Sequence, residues 1–179
     1  MHTPSGERIS AAALESMDFD SVDLPGPYGD VLGPIGPAMY LLVWGMRGSG
    51  KSTFCAGLAA GWAAAHGPAE IVAIEEGPGP ALQDKIARLG IGRPDLGIRQ
   101  TADLEELMGL ASETSLVVVD SISEAGMDTD EVARLKQAYK AQGTALVVVA
   151  HALKTGADYK GPSEWGHGVG VELQVYEDE

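Results

Sequence analysis

The sequence predicts an α/β fold of three layers with a mostly parallel central sheet, and two observations carry this prediction. Continuous apolar runs at 39–44, 71–74, 116–119 and 145–149 are typical of strands buried on both faces. Helical patterns separate these runs, as expected for helices that cover both faces of a parallel sheet. Polar or glycine-rich residues follow each run directly, and the chemistry of such sheets lies beyond the carboxyl ends of their strands.

Each further element follows from periodicity and from breaker residues. The helix after the first strand is Ala-rich and is closed by Gly67 and Pro68. Val132, Leu135 and Tyr139 give a later segment a helical apolar face. In chain order we predict a helix at 10–17, a strand at 39–44, a helix at 51–66 and a strand at 71–74. A helix at 81–89, a strand at 96–98 and a helix from Thr101 follow. The last predicted elements are a strand at 116–119, a helix at 128–142, and strands at 145–149 and 169–176.

The chain of 179 residues predicts one folded core with an N-terminal extension. We assign 1–37 to a flexible segment and lead-in, disordered over 1–8 and irregular over the glycine- and proline-rich stretch 25–37. The folded core, a single domain, is assigned to 38–179. The single cysteine excludes an internal disulfide framework, and no apolar run reaches the length of a membrane span. With no signal-peptide pattern, we expect a cytoplasmic protein without a membrane partner.

The net charge of −14 disfavours general affinity for nucleic-acid backbones. Nucleic-acid binding would therefore need a local basic patch, a partner protein or a ring assembly. The four histidines lack metal-ligand spacing, so the sequence argues against a zinc site.

The clearest motif lies between the first strand and its helix, where residues 45–52 match the phosphate-binding pattern G-x-x-x-x-G-K-S/T. Its glycines allow backbone N–H groups to converge on a phosphate at a helix N-terminus. Lysine would reach the β- and γ-phosphates, and the serine hydroxyl would bind Mg²⁺. The alternative is a glycine-rich turn between core elements. The predicted ATP-binding residues are Gly45, Met46, Arg47, Gly48, Ser49, Gly50, Lys51, Ser52 and Thr53.

Polar side chains also follow the later strands. Asp120 is placed to support Mg²⁺ together with Ser52, the alternative being an aspartate in a turn or helix cap. Glu75 or Glu76 is a candidate general base for water, with Glu75 preferred because it continues the strand; the alternative is a solvated pair. His151 is a candidate sensor of the γ-phosphate, or else a packed strand-end histidine.

The loop 153–165 after His151 contains Lys154, Lys160 and several glycines. It is either a mobile loop that faces nucleic acid or a neighbouring subunit, or a solvated surface loop.

The chain resembles the RecA-like ATPases, and among them bacterial RadA and the KaiC-like group most closely, over roughly residues 30–175. The resemblance implies Mg²⁺-dependent ATP hydrolysis with Glu75 or Glu76 as the catalytic carboxylate and ATP bound between subunits of a hexameric ring or filament. RadA has a similar His-x-x-Lys-x-Gly element, followed by Gly-Pro and Glu-His elements. The stretches that carry the resemblance are 31–33, 45–53, 71–76 with 88–90, 117–123, and 151–156 with 161–162 and 164–167.

Members of this group act on single-stranded DNA in recombination, repair or replication, whereas KaiC-like members couple hydrolysis to other outputs. The sequence departs from RadA in lacking a zinc ribbon, a Lon-like domain and the Lys-Asn-Arg-Phe-Gly motif that supplies basic residues to a neighbour. Our leading hypothesis is an ATPase of DNA metabolism that is slow until a neighbour or DNA completes its site. The alternatives are a nucleotide-switched regulator that does not act on DNA, and a small P-loop kinase, although no Arg-rich lid is evident.

Overall fold

A computed structural model describes residues 8–24 and 26–176 of the chain. Its six strands form one sheet in the order β3-β2-β4-β5-β1-β6, and every neighbouring pair is parallel. The strands are β1 (Tyr40–Gly45), β2 (Ala69–Ala73), β3 (Leu96–Arg99), β4 (Leu116–Asp120), β5 (Ala145–His151) and β6 (Val171–Val175). The helices are α1 (Ala11–Glu15), α2 (Pro27–Leu32), α3 (Lys51–His66), α4 (Pro80–Leu89), α5 (Leu104–Gly109), α6 (Ile122–Ala125) and α7 (Thr129–Gln142).

Helices cover both faces of the sheet, which gives the three layers predicted from the sequence. Because side chains alternate along a strand, Leu41 and Val43 of β1 join one core, and Leu42 and Trp44 join the other. The first core packs the sheet against α3, with α2 and the chain before it at its margin. The second packs it against α5, α6 and α7. Burial on both faces explains why the strands are continuously apolar.

Most predicted elements are present, with shifts at their ends. The helix predicted at 51–66 is observed as α3 with the same bounds, and the strand predicted at 169–176 is shorter. The capping box of Asp128 and Glu131 starts α7 one residue later than predicted.

Two α-helices of the described chain were not predicted. The stretch 25–37 was expected to be irregular, yet α2 lies within it, because Pro27 occupies the first turn of a helix, where its missing N–H costs nothing. The other, α6, has only four residues and no apolar repeat to reveal it. The predicted disorder of 1–8 lies, except for Arg8, outside the described residues.

The chain before β1 contributes to the core. Val22, Leu24, Leu32 and Ile35 are buried against the α3 side of the sheet. The Val22 N–H donates to the carbonyl of Ile35 at 2.7 Å and closes this segment on itself. The division of the chain at residue 37 stays a prediction.

The topology gathers the polar strand ends at one edge. Gly45 of β1 is aligned with His151 of β5, and Ala73 of β2 is aligned with Asp120 of β4. Since β2, β4, β5 and β1 are consecutive in the sheet, the residues that follow them lie side by side. Within the described residues, no helix combines the length and hydropathy that crossing a bilayer requires.

Candidate nucleotide-binding site

The loop between β1 and α3 has a backbone that only glycine adopts easily. Gly48 and Gly50 have φ angles of 87° and 94°, in the left-handed region, and Gly50 caps the N-terminus of α3. Gly45 lies where any side chain would collide, because a Cβ there would be 2.3 Å from the carbonyl oxygen of Val175. The glycines of the motif are thus explained by the shape of this loop.

Two buried polar side chains lie at this loop, Ser49 within it and Lys51 at the start of α3. The Lys51 amine is buried and donates to the carbonyl of Met46 at 2.7 Å. Burial lowers the pKa of Lys51, and the nearby carboxylates of Asp120 and Glu75 partly offset this effect. The Ser49 hydroxyl is buried and has no hydrogen-bond partner among the described residues. A buried amine and glycine-shaped backbone at a helix N-terminus fit an anionic phosphate.

A cavity of about 450 Å³ opens in front of this loop. The residues predicted from four separate strand ends meet in it, together with an apolar wall from α3, β2 and α4. The lining residues include Gly48, Gly50, Lys51, Ser52, Thr53, Arg47, Glu75, Glu76, Leu82, Lys85, Asp120 and His151. Met46, by contrast, is half-exposed and lies beside Val175 and Tyr176 on the other side of the loop.

Asp120 and Ser52 form the predicted cation-binding pair. Burial raises the pKa of Asp120, and the nearby Ser52 hydroxyl partly counteracts that rise. Their oxygen atoms suit Mg²⁺, which is usually held by one or two carboxylates, with waters and phosphates completing its shell. No cluster of three or more His, Cys, Asp or Glu suited to a metal occurs in the described chain. Because waters and phosphate oxygens can complete the Mg²⁺ shell, the two oxygen ligands of Ser52 and Asp120 fit this cation.

Glu75 lies between the phosphate loop and β5. Its carboxylate accepts a hydrogen bond from the Arg47 guanidinium at 3.0 Å and lies 3.1 Å from Nε2 of His151. The same Nε2 is 3.3 Å from the Ser121 hydroxyl. His151 therefore contacts the candidate base directly, an arrangement that the sequence did not predict.

Glu76 turns the other way, toward α4. Its carboxylate accepts from the Lys85 amine at 2.9 Å, and the Lys85 side chain is only 14% exposed. Lys85 was not predicted as a site residue. The spacing in the sequence could have indicated it, because Leu82 and Lys85 are three residues apart and therefore share one face of the helix. Both residues line the cavity.

The loop after His151 is attached to the strand ends by its main chain. The Lys160 N–H donates to the carbonyl of His151 at 2.6 Å, and the Ser123 hydroxyl donates to the carbonyl of Lys160 at 3.0 Å. Tyr159 and Trp165 are buried and stack with their ring centroids 6.3 Å apart. Lys154 and Lys160 themselves are exposed. The loop thus combines buried aromatic anchors with exposed lysines.

Comparison with known proteins supports the fold. No model of a known protein family matches the chain, and no curated protein matches it. Among solved structures, the crystal structure of the flagellar accessory protein FlaH from Methanocaldococcus jannaschii aligns with a TM-score of 0.61 at 14% identity, covering 78% of this chain and 74% of that one. This similarity and the six-stranded parallel sheet confirm the predicted three-layer α/β fold with a parallel central sheet.

Proposed function

We propose that the protein binds ATP with Mg²⁺ and hydrolyses it. The observation that carries this proposal is that the phosphate loop and Lys51 line the same cavity as the carboxylates of Asp120 and Glu75. A loop shaped for phosphate accounts for binding, and a carboxylate at the same cavity accounts for hydrolysis.

In the proposed reaction, the oxygen of a water molecule forms a bond to the γ-phosphorus, and the bond from the γ-phosphorus to the bridging oxygen breaks. Glu75 orients that water and takes its proton, leaving ADP and phosphate as products. Lys51 binds the phosphates through its buried amine. Ser52 and Asp120 would hold Mg²⁺, which would neutralise part of the phosphate charge when bound.

Two features favour Glu75 over Glu76 as the base. Glu75 faces the phosphate loop and contacts His151, whereas Glu76 is paired with the largely buried Lys85 of α4. A carboxylate that is turned toward α4 and accepts from the Lys85 amine is not placed to take a proton from water at the phosphate loop.

The test compares matched carboxylate variants. Glu75→Gln should retain ATP binding and lose turnover by about a hundredfold or more, since positioned general bases contribute on this scale. Glu76→Gln, the control, should keep most of its turnover, and Lys51→Ala should lose nucleotide binding. Wild-type turnover in Glu75→Gln would remove Glu75 from the role of base. ATP binding that survives in Lys51→Ala would contradict the proposed site itself.

For the biological role, we propose DNA recombination, repair or replication, carried out by a ring or filament of this chain in the cytoplasm. The support is the resemblance of residues 151–167 to RadA and the exposed Lys154 and Lys160 of that loop. The measurements are sedimentation with and without ATP, and the ATPase rate with and without single-stranded DNA. Stimulation by DNA would support a DNA-dependent ATPase.

A second candidate is a regulator whose partner surface changes with nucleotide. It is favoured by the acidic charge of −14 and by the main-chain link from His151 to Lys160. Hydrolysis that DNA does not affect, with nucleotide-dependent capture of one protein, would support it. A phosphorylated small-molecule product would instead support the kinase alternative.

A further inference from the structure

We propose that Arg47, within the phosphate loop itself, supplies the positive charge that the γ-phosphate needs during hydrolysis. Before ATP binds, the Arg47 guanidinium would contact Glu75, as it does in this structure. The proposal rests on the proposed ATPase function. It differs from the expectation drawn from RadA, in which a neighbouring subunit supplies basic residues.

The first argument is position. Arg47 lies between Gly45 and Gly48 and lines the same cavity as Lys51 and Asp120. Its guanidinium reaches the Glu75 carboxylate at 3.0 Å. The side chain that contacts the candidate base therefore starts from the phosphate-binding loop.

The second argument is freedom to move. The Arg47 side chain is 88% exposed, and its contact with Glu75 is a surface ion pair. Such pairs contribute little stability, because water screens them and because ordering two side chains opposes them. A guanidinium binds phosphate through two parallel hydrogen bonds, which a more highly charged phosphate makes stronger. The γ-phosphate can thus replace Glu75 as the partner of Arg47.

The third argument is that the lysines of the cavity are largely buried, one in the phosphate-binding role proposed above and the other in an ion pair. Among the described residues that line it, the lysines are Lys51 and Lys85. Lys51 is buried against the carbonyl of Met46, and Lys85 is largely buried against Glu76. Arg47 is the cation of this set whose side chain is open to solvent.

The exchange would have two effects at once. It would bring a positive charge to the γ-phosphate, where charge is redistributed during transfer, and it would release Glu75 to orient water beside His151. ADP lacks the γ-phosphate and would leave the Arg47–Glu75 contact in place.

The test measures kcat and KM for ATP, and the affinity for ADP, in Arg47→Ala and Arg47→Lys. In Arg47→Ala we expect kcat to fall by about a thousandfold, the scale of arginines that act on a transferred phosphoryl group, with ADP affinity unchanged. Arg47→Lys should recover part of the rate, since it restores the charge but not the paired hydrogen bonds. Arg134→Ala, which removes another exposed arginine paired with a glutamate, is the matched control and should keep the wild-type rate.

A second measurement distinguishes a neighbour from the chain itself. The wild-type rate per chain should stay constant over a wide range of protein concentration. A rate per chain that rises with concentration, a wild-type kcat in Arg47→Ala, or equal losses of kcat and ADP affinity would each overturn the role of Arg47. If the wild-type protein does not hydrolyse ATP at all, the proposed function fails and this inference fails with it. An active wild type with an equally active Arg47→Ala defeats the inference alone.

Discussion

Two loops meet at the carboxyl edge of the sheet, and different forces hold them. The phosphate loop depends on main-chain geometry, with Gly48 and Gly50 in left-handed conformations. The loop that follows His151 depends on packing, with Tyr159 and Trp165 buried against the second core. One loop is thus shaped by glycines and the other by aromatic rings.

This difference explains what each loop can do. A glycine-shaped loop can turn backbone N–H groups toward a phosphate, so ligand binding there depends on the conformation of its main chain. The other loop is held by its stacked rings and by the hydrogen bond from the Tyr40 hydroxyl to the carbonyl of Trp165. We infer that binding depends on the first loop, whereas the stability of this edge depends on the second.

The largest expected effect is on Trp165. Trp165→Ala should lower the free energy of unfolding by about 3–5 kcal/mol, because it removes a large buried ring from the second core. Urea unfolding measures this loss. Trp165→Phe is the control and should lose less, because it keeps an aromatic ring and removes an indole N–H that has no partner among the described residues. An alanine variant as stable as wild type would show that the ring does not anchor the loop.

Gly50 tests the other side of the comparison. Gly50→Ala should lower the free energy of unfolding by only about 1–2 kcal/mol, the scale of strain for a side chain at positive φ. Nucleotide affinity should fall at least tenfold, because the N–H groups of the loop would turn away from the phosphate. Calorimetric titration with ATP and thermal unfolding measure the two effects.

Gly109→Ala is the matched control for that variant. Gly109 has helical φ and ψ angles of −59° and −37°, and nothing lies within 4 Å of an added Cβ. Alanine should therefore stabilise the fold by about 0.5–1 kcal/mol and leave nucleotide binding unchanged. Equal losses of ATP affinity in both glycine variants would contradict a specific role for the phosphate-loop backbone.

The same contrast decides how much the sequence could predict. The helix at 51–66 was predicted with its observed bounds, because glycines and an Ala-rich pattern mark it locally. Asp120, Glu75 and His151 were predicted as neighbours because parallel strands end at one edge. The pairing of Lys85 with Glu76 was not predicted, since it depends on how α4 is placed over the sheet. The stacking of Tyr159 on Trp165 likewise depends on tertiary packing.

We expect Asp120 to lower the stability of the protein without nucleotide and to support the binding of Mg²⁺ with ATP. Burial raises its pKa, so the folded protein disfavours the ionised carboxylate, and the contribution of this group to stability is lost as pH rises from the ordinary aspartate pKa through the raised one. Without nucleotide, Asp120→Asn should therefore unfold a few degrees above wild type at neutral pH, as a change on the order of 1 kcal/mol would produce.

The advantage of Asp120→Asn should shrink as pH falls through that window, and thermal unfolding across a pH series measures it. With Mg²⁺ and ATP the order should reverse, since ligand binding then stabilises the wild type more. A variant less stable than wild type at every pH, with or without nucleotide, would show that Asp120 serves the fold and not a cation.

The smallest effect on the fold is expected at Lys154, which is exposed in the anchored loop. Lys154→Ala should change the free energy of unfolding by less than about 0.5 kcal/mol and leave the ATPase rate without DNA unchanged, because the aromatic anchors stay in place. If the loop faces single-stranded DNA, each lost phosphate contact should reduce the salt dependence of binding by about one in its logarithmic slope. Lys140→Ala, on α7, is the control for charge alone. Equal DNA affinity in both variants would place DNA elsewhere and favour the regulator, because the loop would then carry the state of His151 to a protein partner.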